Sequence, residues 1–230
     1  MKISIIIPCY NEISTIEKIL KKVLKVFRGK KYEIIIVDDF STDGTLEILK
    51  KFKKNKFVKT IHNSSNFGKG YSLKKGFKTA TGDILCIQDA DLEYDPVDLL
   101  PMIDLIEFNY ADVVFGSRFR GSGPVRANLF WNRIANFFIT ALTNFFANLS
   151  LTDIECCYKV FKKDHISQID LKEHRFGIEP EITIKLAQLN LRIFEIGISY
   201  YGRTKSEGKK IGFKDGIRAI YCIFRYSFFK

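Results

Sequence analysis

The sequence has 230 residues, of which 46% are hydrophobic and 27% are charged, and its formal net charge is +11. This composition excludes an intrinsically disordered chain and can supply the core of one large domain. The positive charge favours an anionic partner: a phosphorylated small molecule, a nucleic acid or an acidic membrane surface. Charge alone does not choose among these three classes.

Cysteine usage and the apolar runs bear on the cellular compartment. The five cysteines are odd in number and lack a Cys-x-x-Cys spacing, so we expect reduced, packed thiols in a cytoplasmic protein. The apolar run from Ile3 to Ile7 lacks a small-residue cleavage site and predicts a strand rather than a signal peptide. No apolar run reaches the roughly 20 residues that a membrane-spanning helix needs, so any membrane contact should be peripheral.

Strands and helices alternate along the first half of the chain. The hydrophobic periodicity predicts strands over Ile3 to Ile7, Tyr32 to Val37, Val58 to His62 and from Ile84, with helices over Ser14 to Phe27, Thr45 to Phe52 and Ser72 to Thr79. This order predicts an α/β fold with a mostly parallel sheet flanked by helices.

Each predicted strand is followed by a polar loop. These loops are Pro8 to Glu12, Asp38 to Gly44, Asn66 to Gly70 and Asp89 to Glu93. Because the carboxyl ends of parallel strands meet at one edge of a sheet, which is where ligands bind, the loops are predicted to form one site.

Three acids follow the strand that begins at Ile84, namely Asp89, Asp91 and Glu93. Carboxylates one or two residues apart can share a divalent cation such as Mg²⁺ or Mn²⁺, which prefers oxygen ligands and often keeps a substrate phosphate in its shell. A solvated acidic loop is the alternative, because Asp-x-Asp is a short pattern and acids are common in loops. The choice between a metal site and a solvated loop therefore depends on the neighbouring motifs.

Two other loops carry groups suited to a nucleotide. Asp38 and Asp39 can accept hydrogen bonds from a nucleobase or ribose, and Asn66 to Gly70 combines two glycines with Lys69, which suits phosphate. The same glycines could equally serve the start of a helix. The Walker pattern is absent, as is Gly-x-Gly-x-x-Gly after the first strand, which argues against a P-loop ATPase and a nicotinamide enzyme.

Five stretches in order resemble the successive motifs of family 2 glycosyltransferases: Ile5 to Glu12, Ile35 to Thr45, Asn66 to Gly70, Gln88 to Asp91, and Gly116 to Arg118. They are most similar to the branch of dolichyl- and polyprenyl-phosphate sugar synthases. The resemblance implies a GT-A fold, which is a Rossmann-like α/β sheet that binds a nucleotide sugar, with a divalent metal and inversion at the anomeric carbon.

The resemblance also implies roles for particular residues. The nucleotide-sugar site would comprise Pro8, Tyr10, Glu12, Val37, Asp39, Lys69, Gln88, Asp89, Ala90, Asp91, Arg203 and Lys209. The metal would be held by Asp89, Asp91 and Glu93. The catalytic candidates are Asp89, Asp91, Arg118, Asp153 and Glu181.

Asp153 lies in Thr152 to Phe161, which resembles the segment that closes the donor site. There Cys157-Tyr158-Lys159 departs from the family's Gly-aromatic-Arg pattern, which leaves the sugar open. Glu181 stands at a predicted helix start, where an acid could orient the acceptor or the metal or could simply complement the helix dipole.

Three arginines are candidates for binding an acceptor phosphate, because the guanidinium fork suits bidentate phosphate contacts. They are Arg118, Arg126 and Arg133. Leu129 to Leu151 carries aromatic residues at helical spacing opposite a polar stripe. It predicts either a pair of core-packing helices or an interfacial helix that meets lipid, and the basic aromatic run Ile217 to Lys230 suits a membrane surface.

These features predict one glycosyltransferase domain, in which residues 1–120 bind the nucleotide sugar and residues 121–230 bind the acceptor. The predicted reaction moves a hexose from a GDP-mannose or UDP-glucose type of donor to a polyprenyl or dolichyl phosphate at the cytoplasmic membrane face. That phosphate is already ionised, whereas a hydroxyl acceptor, the main alternative, would need Glu181 or Asp153 as a base. A basic module that binds nucleic acid or membrane is the non-enzyme alternative, although no nucleic-acid-binding signature is present.

Overall fold

The structure is a computed structural model that describes residues 1–121, 123–127, 130–204 and 212–228, without the side chains of residues 213 and 214. The strands within these ranges are β1 (Ile3–Cys9), β2 (Tyr32–Asp38), β3 (Val58–His62), β4 (Ile84–Ile87), β5 (Val113–Ser117), β6 (Lys159–Lys162) and β7 (Ile193–Gly197). The helices are α1 (Ile16–Val26), α2 (Thr45–Lys51), α3 (Lys69–Thr79), α4 (Leu99–Glu107), α5 (Phe130–Ala147), α6 (Lys163–Ile166), α7 (Ile178–Ala187) and α8 (Phe213–Phe228). A short 3₁₀ helix spans Pro96–Asp98.

The strands form one mixed sheet in the order β3-β2-β1-β4-β6-β5-β7. Strands β1 to β4 pair in parallel, as does β5 with β7, whereas β6 runs antiparallel to both of its neighbours. The predicted α/β fold with a mostly parallel sheet is confirmed. Strands from residues 1–120 and from residues 121–230 share this sheet.

Helices cover both faces of the sheet, so the central strands are apolar throughout. Along β1, Ile3, Ile5 and Ile7 join the core on one face with α1, α2 and α4, while Ile6 joins the core on the other face with α3, α7 and α8. The five cysteines are all free and buried, as predicted for packed thiols.

Helix α3 begins three residues earlier than predicted, at Lys69 rather than Ser72. Gly68 precedes it with a φ of 101°, in the left-handed region that glycine tolerates. A Cβ on Gly68 would also lie 2.5 Å from the carbonyl oxygen of His174. The glycine therefore starts the helix and lets the chain pass close to a neighbouring segment.

Helix α5 is a single helix, so the predicted pair of core-packing helices is wrong. Its polar face points inward, with Asn136, Thr140 and Thr143 buried. Its aromatic residues point outward: Phe130, Trp131, Phe137, Phe138 and Phe145 are 64–79% exposed. In the ranges that the structure describes, we find no helix that combines the length and the hydropathy needed to cross a membrane.

Asp112 joins three strands at the far edge of the sheet. Its carboxylate accepts hydrogen bonds from Arg192 Nε at 2.9 Å and Lys162 Nζ at 2.7 Å. The hydrogen bond from Arg192 is the main reason why the pKa of Asp112 lies well below its ordinary value. We expect Asp112→Asn to lower the free energy of unfolding by about 1–2 kcal/mol near pH 7, as measured by urea denaturation.

The pH dependence of this effect has a definite sign. Because the folded pKa lies below the unfolded value of about 4, the contribution of Asp112 is complete above the unfolded value and is lost as the pH falls towards the folded one. The difference between wild type and Asp112→Asn should therefore shrink at about pH 3. Asp170 pairs with Lys172 at the surface, where solvent screens the pair, so Asp170→Asn should change stability much less than Asp112→Asn does. An undiminished difference at low pH would contradict this account of Asp112.

Candidate active site

A cavity of about 300 Å³ opens at the edge of the sheet where β1 to β4 end. Backbone hydrogen bonds align these ends, because Asp39 N donates to Cys9 O at 2.8 Å and Gln88 N donates to Ile6 O at 3.0 Å. The loops after the strands reach the same space, as the chain order predicted. The cavity is lined by Pro8, Cys9, Tyr10, Glu12, Asp39, Asn66, Gly68, Lys69, Ser72, Asp89, Ala90, Asp91, Glu93, Tyr94, Arg118, Glu155, Cys157, Arg175, Phe176, Tyr200 and Arg203.

Most of the predicted nucleotide-sugar residues line this cavity, but two do not. Val37 is fully buried within β2. Gln88 accepts a hydrogen bond from Tyr158 Oη at 2.6 Å and donates from Nε2 to Asp89 O at 3.1 Å. Gln88 therefore supports the acidic loop from behind. Lys209 lies outside the residues that the structure describes.

Asp39 fastens the loop of residues 66–70 to the end of β2. Its carboxylate accepts hydrogen bonds from the backbone amides of Phe67 at 3.0 Å and Gly68 at 2.7 Å, and from Asn63 Nδ2 at 2.8 Å. The predicted nucleotide-binding acid thus also positions the loop that carries Lys69.

Lys69 holds Asp89 in its ionised form. Lys69 Nζ lies 2.8 Å from Asp89 Oδ1 and 3.3 Å from Glu179 Oε1. Burial opposes ionisation of Asp89, but the charge of Lys69 and hydrogen bonds from Cys157 and Lys69 outweigh it, so the pKa of Asp89 lies below its ordinary value. Burial likewise opposes the charge on Lys69, but Asp89, Cys157 and Glu179 raise its pKa well above normal. Fully buried Lys159 forms a further ion pair with Glu179.

Arg203 lies among three acids on the other side of the acidic loop. Its Nη2 is 2.6 Å from Asp91 Oδ2, its Nε is 3.2 Å from Glu93 Oε1, and its Nη1 is 3.5 Å from Glu12 Oε2. Burial and the charges of Asp89 and Glu93 nevertheless raise the pKa of Asp91 to about 7. Asp91 is therefore an acid whose ionised form needs more positive charge than Arg203 supplies.

The predicted three-carboxylate metal site is not formed. Among the described residues, no group of three His, Cys, Asp or Glu side chains is placed to hold an ion. Glu93 is directed elsewhere, because Oε1 accepts from the backbone amide of Arg203 at 2.8 Å and Oε2 accepts from Tyr200 Oη at 3.1 Å. Asp89 and Asp91 still face one cavity, and the repulsion that raises the pKa of Asp91 is what a divalent cation would relieve. The residues thus fit an ion held by two carboxylates, with its other positions left to phosphate and water.

Arg118 lines the cavity and is held from behind by Asp153. Arg118 Nε and Nη2 donate to the two Asp153 oxygens at 2.6 and 2.7 Å, and the backbone amide of Arg118 donates to Asp153 Oδ2 at 3.0 Å. Asp153 is fully buried and does not line the cavity. This arrangement is at odds with the prediction of Asp153 as a base and makes it a positioning residue for Arg118.

Arg126 and Arg133 lie outside the cavity but beside segments that reach it. Arg126 Nη1 donates to Gly202 O at 2.8 Å, next to Arg203. The guanidinium of Arg133 lies 5.3 Å from the ring centroid of Phe119, next to Arg118. Both arginines are exposed.

Glu181 holds neighbouring backbone in place and does not reach the cavity, which is at odds with its prediction as a catalytic residue. It is fully buried outside the cavity, accepts hydrogen bonds from the backbone amides of Lys172 at 2.7 Å and Glu173 at 2.8 Å, and pairs with Lys185 Nζ at 2.6 Å. Glu179 is the acid of α7 that contacts a cavity residue, because its Oε1 lies 3.3 Å from Lys69 Nζ.

The cavity also contains residues that the motifs did not single out, among them Tyr94, Glu155, Arg175 and Tyr200. Burial raises the pKa of Glu155 to about 7, with the neighbouring charge of Glu179 adding to the effect. Glu155 stands inside the segment that resembles the donor-closing stretch, two residues after Asp153, and that position was the available signal. Arg175 and Tyr200 carry no sequence pattern that marks them.

Comparisons with known proteins agree with this geometry. The family model described as Glycosyl transferase family 2 matches residues 4–170. The chain is 30% identical over 232 residues to a dolichol-phosphate mannosyltransferase of Pyrococcus furiosus, with 99% of this chain and 65% of that protein covered. It is 26% identical over 218 residues to a dodecaprenyl-phosphate galacturonate synthase of Rhizobium johnstonii, with 90% and 63% covered. The chain therefore spans less than two thirds of the length of either relative.

Solved structures agree on the fold. The glucosyl-3-phosphoglycerate synthase of Mycobacterium tuberculosis, crystallised with Mn²⁺, UDP and phosphoglyceric acid, superposes with a TM-score of 0.76 at 14% identity, covering 100% of this chain and 79% of that one. This likeness confirms the predicted fold, and the family match covers most of the chain. The chain belongs to glycosyl transferase family 2 and has the GT-A fold.

Proposed function

We propose that this protein transfers a hexose, with inversion, from a nucleoside-diphosphate sugar to a polyprenyl or dolichyl phosphate at a membrane surface. The observation that carries the proposal is the cavity itself, which gathers Asp89 and Asp91 with four cations, Lys69, Arg118, Arg175 and Arg203. The names of the two curated relatives contain dolichol phosphate and dodecaprenyl phosphate, and this supports the choice of acceptor.

The donor would lie along the ends of β1, β2 and β4. Asp39, Pro8, Tyr10 and Glu12 would surround the nucleoside, and Lys69 and Arg203 would meet the diphosphate. Mg²⁺ or Mn²⁺ held by Asp89 and Asp91 would supply further positive charge at the diphosphate. The resemblance to polyprenyl-phosphate sugar synthases favours a donor of the GDP-mannose or UDP-glucose type and leaves the choice between them open.

The chain's own charges suit the chemistry of such a transfer. As the bond between C1 and the diphosphate oxygen breaks, negative charge grows on the leaving diphosphate, and fixed cations placed there stabilise it. Arg203 and Lys69 occupy the cavity on the two sides of the acidic loop. An acceptor phosphate oxygen attacks C1 in its ionised form, so no residue has to remove a proton from it.

The acceptor phosphate would meet Arg118, the one of the three predicted arginines that lines the cavity. Asp153 fixes the guanidinium of Arg118 from behind, which reduces the entropy lost when a phosphate binds. Arg126 and Arg133, beside Gly202 and Phe119, would guide the phosphate at the entrance rather than hold it during transfer.

The outer surfaces of α5 and α8 suit contact with lipid. We define the aromatic surface as exposed Phe130, Trp131, Phe137, Phe138 and Phe145 of α5 with exposed Ile217, Ile220, Tyr221, Phe224 and Phe228 of α8. The helices pack together, because the ring centroid of Phe146 lies 5.3 Å from that of Phe224 and 5.2 Å from that of Phe228. Arg133, Arg218 and Arg225 are also exposed there. Exposed aromatics with arginines are typical of helices at an anionic membrane surface, and this supports peripheral attachment, which we place on the cytoplasmic face as part of the proposal.

A hydroxyl acceptor remains the second candidate because of one observation. Such an acceptor needs a base, and Glu155 lines the cavity with a pKa of about 7. The experiment that separates the candidates offers GDP- and UDP-hexoses with Mg²⁺ or Mn²⁺ and a short polyprenyl phosphate. We expect labelled sugar in the solvent-extractable lipid. Donor turnover that never yields labelled lipid would favour the hydroxyl acceptor.

Asp91→Asn should reduce transfer by about 100-fold or more, because it removes one of the two carboxylates proposed to hold the cation at the leaving diphosphate. The amide is nearly isosteric, so the thermal midpoint should stay close to that of wild type. Asp104→Asn, the same change on α4 outside the cavity, is the control and should keep full activity. Retained turnover in Asp91→Asn would contradict the metal assignment.

Replacing aromatic residues of α5 should weaken membrane binding. Phe138 and Phe145 are 66% and 79% exposed, and each buried phenyl ring contributes on the order of 1.5–3 kcal/mol. We expect Phe138→Ser with Phe145→Ser to lower partitioning onto anionic vesicles by about tenfold or more in a sedimentation assay. Phe108 is 71% exposed at the end of α4, on the other face of the sheet, so Phe108→Ser should bind as wild type does. Equal loss in both variants would argue against the aromatic surface.

A further inference from the structure

Glu155 is a cavity acid with an unused oxygen. It lines the cavity, and its Oε1 is buried without a hydrogen-bond partner among the described residues. Buried acceptors in native proteins are nearly always paired, so an unpaired one beside an open cavity points to a ligand that completes it. For the ionised carboxylate the missing partner is a donor, because that form only accepts hydrogen bonds.

None of the residues that the structure describes donates a hydrogen bond to this Oε1. Arg118 and Lys159 are the cations whose charges act on the pKa of Glu155. Arg118 donates to both oxygens of Asp153, and Lys159 donates to Glu179 and to Ile154 O at 3.3 Å. Two cations that could neutralise Glu155 are thus engaged with other acids, and neither donates a hydrogen bond to its Oε1.

Glu155 is also well placed along the cavity. Cys157, two residues later, contacts Lys69 at 2.8 Å, and Lys69 binds Asp89. Arg118, which neighbours Glu155, stands where we place the acceptor phosphate. We therefore place Glu155 between the proposed diphosphate and acceptor positions, where the transferred sugar would be. A hexose presents several hydroxyl groups there, and each can donate a hydrogen bond.

We propose that the Glu155 carboxylate accepts a hydrogen bond from a hydroxyl of the donor's sugar and thereby selects a neutral hexose over a hexuronate. The inference rests on the proposed function and deepens it by naming the sugar class. A hexuronate would bring a second carboxylate towards Glu155, Glu179 and Asp153, where Lys159 is paired with Glu179 and Arg118 is shared between Asp153 and the proposed acceptor phosphate. Repulsion and an unpaired buried charge would both disfavour it.

The first test compares ligands with and without the sugar. Binding of UDP, GDP, UDP-glucose and GDP-mannose is measured by calorimetry for wild type, Glu155→Ala and the control Glu107→Gln, an exposed acid on α4. We expect Glu155→Ala to lose about tenfold or more in affinity for the sugar nucleotide that wild type prefers, with affinity for the free diphosphate unchanged. Equal losses for both ligands would indicate a structural role and overturn the proposal.

The second test identifies the hydroxyl. Deoxy analogues of the preferred donor should include one whose binding to wild type falls about tenfold but whose binding to Glu155→Ala does not fall further. Glu155→Gln should retain part of the affinity and should use UDP-glucuronate better, relative to UDP-glucose, than wild type does. Unchanged affinities with loss only of kcat, and of its dependence on pH near 7, would make Glu155 a base and overturn the proposal.

Different results would contradict the role of Glu155 and the proposed transferase function. Wild-type protein that binds and transfers from these donors, with no sugar-specific effect of Glu155→Ala, would contradict the role of Glu155 alone. Wild-type protein that neither binds nor transfers from any donor of the panel would contradict the proposed function itself.

Discussion

The fold brings two neighbouring carboxylates, Asp89 and Asp91, into one cavity, and their mutual repulsion is the constraint around which the site is arranged. Each acid has its own cation: Lys69 pairs with Asp89 at 2.8 Å, and Arg203 pairs with Asp91 at 2.6 Å. The two cations are far apart in the sequence, one at the start of α3 and one in the segment after β7. The acidic loop thus connects these two segments.

A second set of ion pairs lies behind the first. Lys159 pairs with Glu179, and Arg118 pairs with Asp153, with the acids fully or almost fully buried. Buried ion pairs add little net stability, because desolvation offsets much of their attraction. Their effect here is to fix where charges face the cavity. Arg118 and Lys69 each present a positive charge whose position is set by an acid behind it, which is the preorganisation that charge-stabilising sites require.

Elements with a local sequence signal could be predicted from the sequence. The hydrophobic periodicity predicted β1 to β4 and the alternation with helices predicted that they pair in parallel, so Asp39, Lys69, Asp89 and Asp91 were expected to meet. The sequence could not show that β6 runs antiparallel between β4 and β5, because that pairing depends on contacts distant in sequence. The early start of α3 was missed for a similar reason, since Asp39 and the segment at His174 determine how Gly68 is used.

Acids were the hardest residues to assign from sequence. Asp153, Glu155, Glu179 and Glu181 all lie near the predicted site in the chain, yet only Glu155 lines the cavity. The difference comes from which way each side chain faces. Asp153 and Glu155 lie in the loop before β6, and Glu179 and Glu181 lie at the start of α7; neither segment has a periodic pattern that reveals the direction. Helix α5 shows the opposite case, because its polar stripe and aromatic stripe were visible and only the direction of packing was open.

The structure of the product tests the central claim most directly. Lipid extracted after incubation with an α-linked nucleotide hexose would be examined by mass spectrometry and by NMR of the anomeric proton. The account predicts one hexose joined through C1 to the lipid phosphate, in the β configuration, with one nucleoside diphosphate released per sugar transferred. A hexose attached to a hydroxyl group, a retained α configuration or free hexose alone would contradict it.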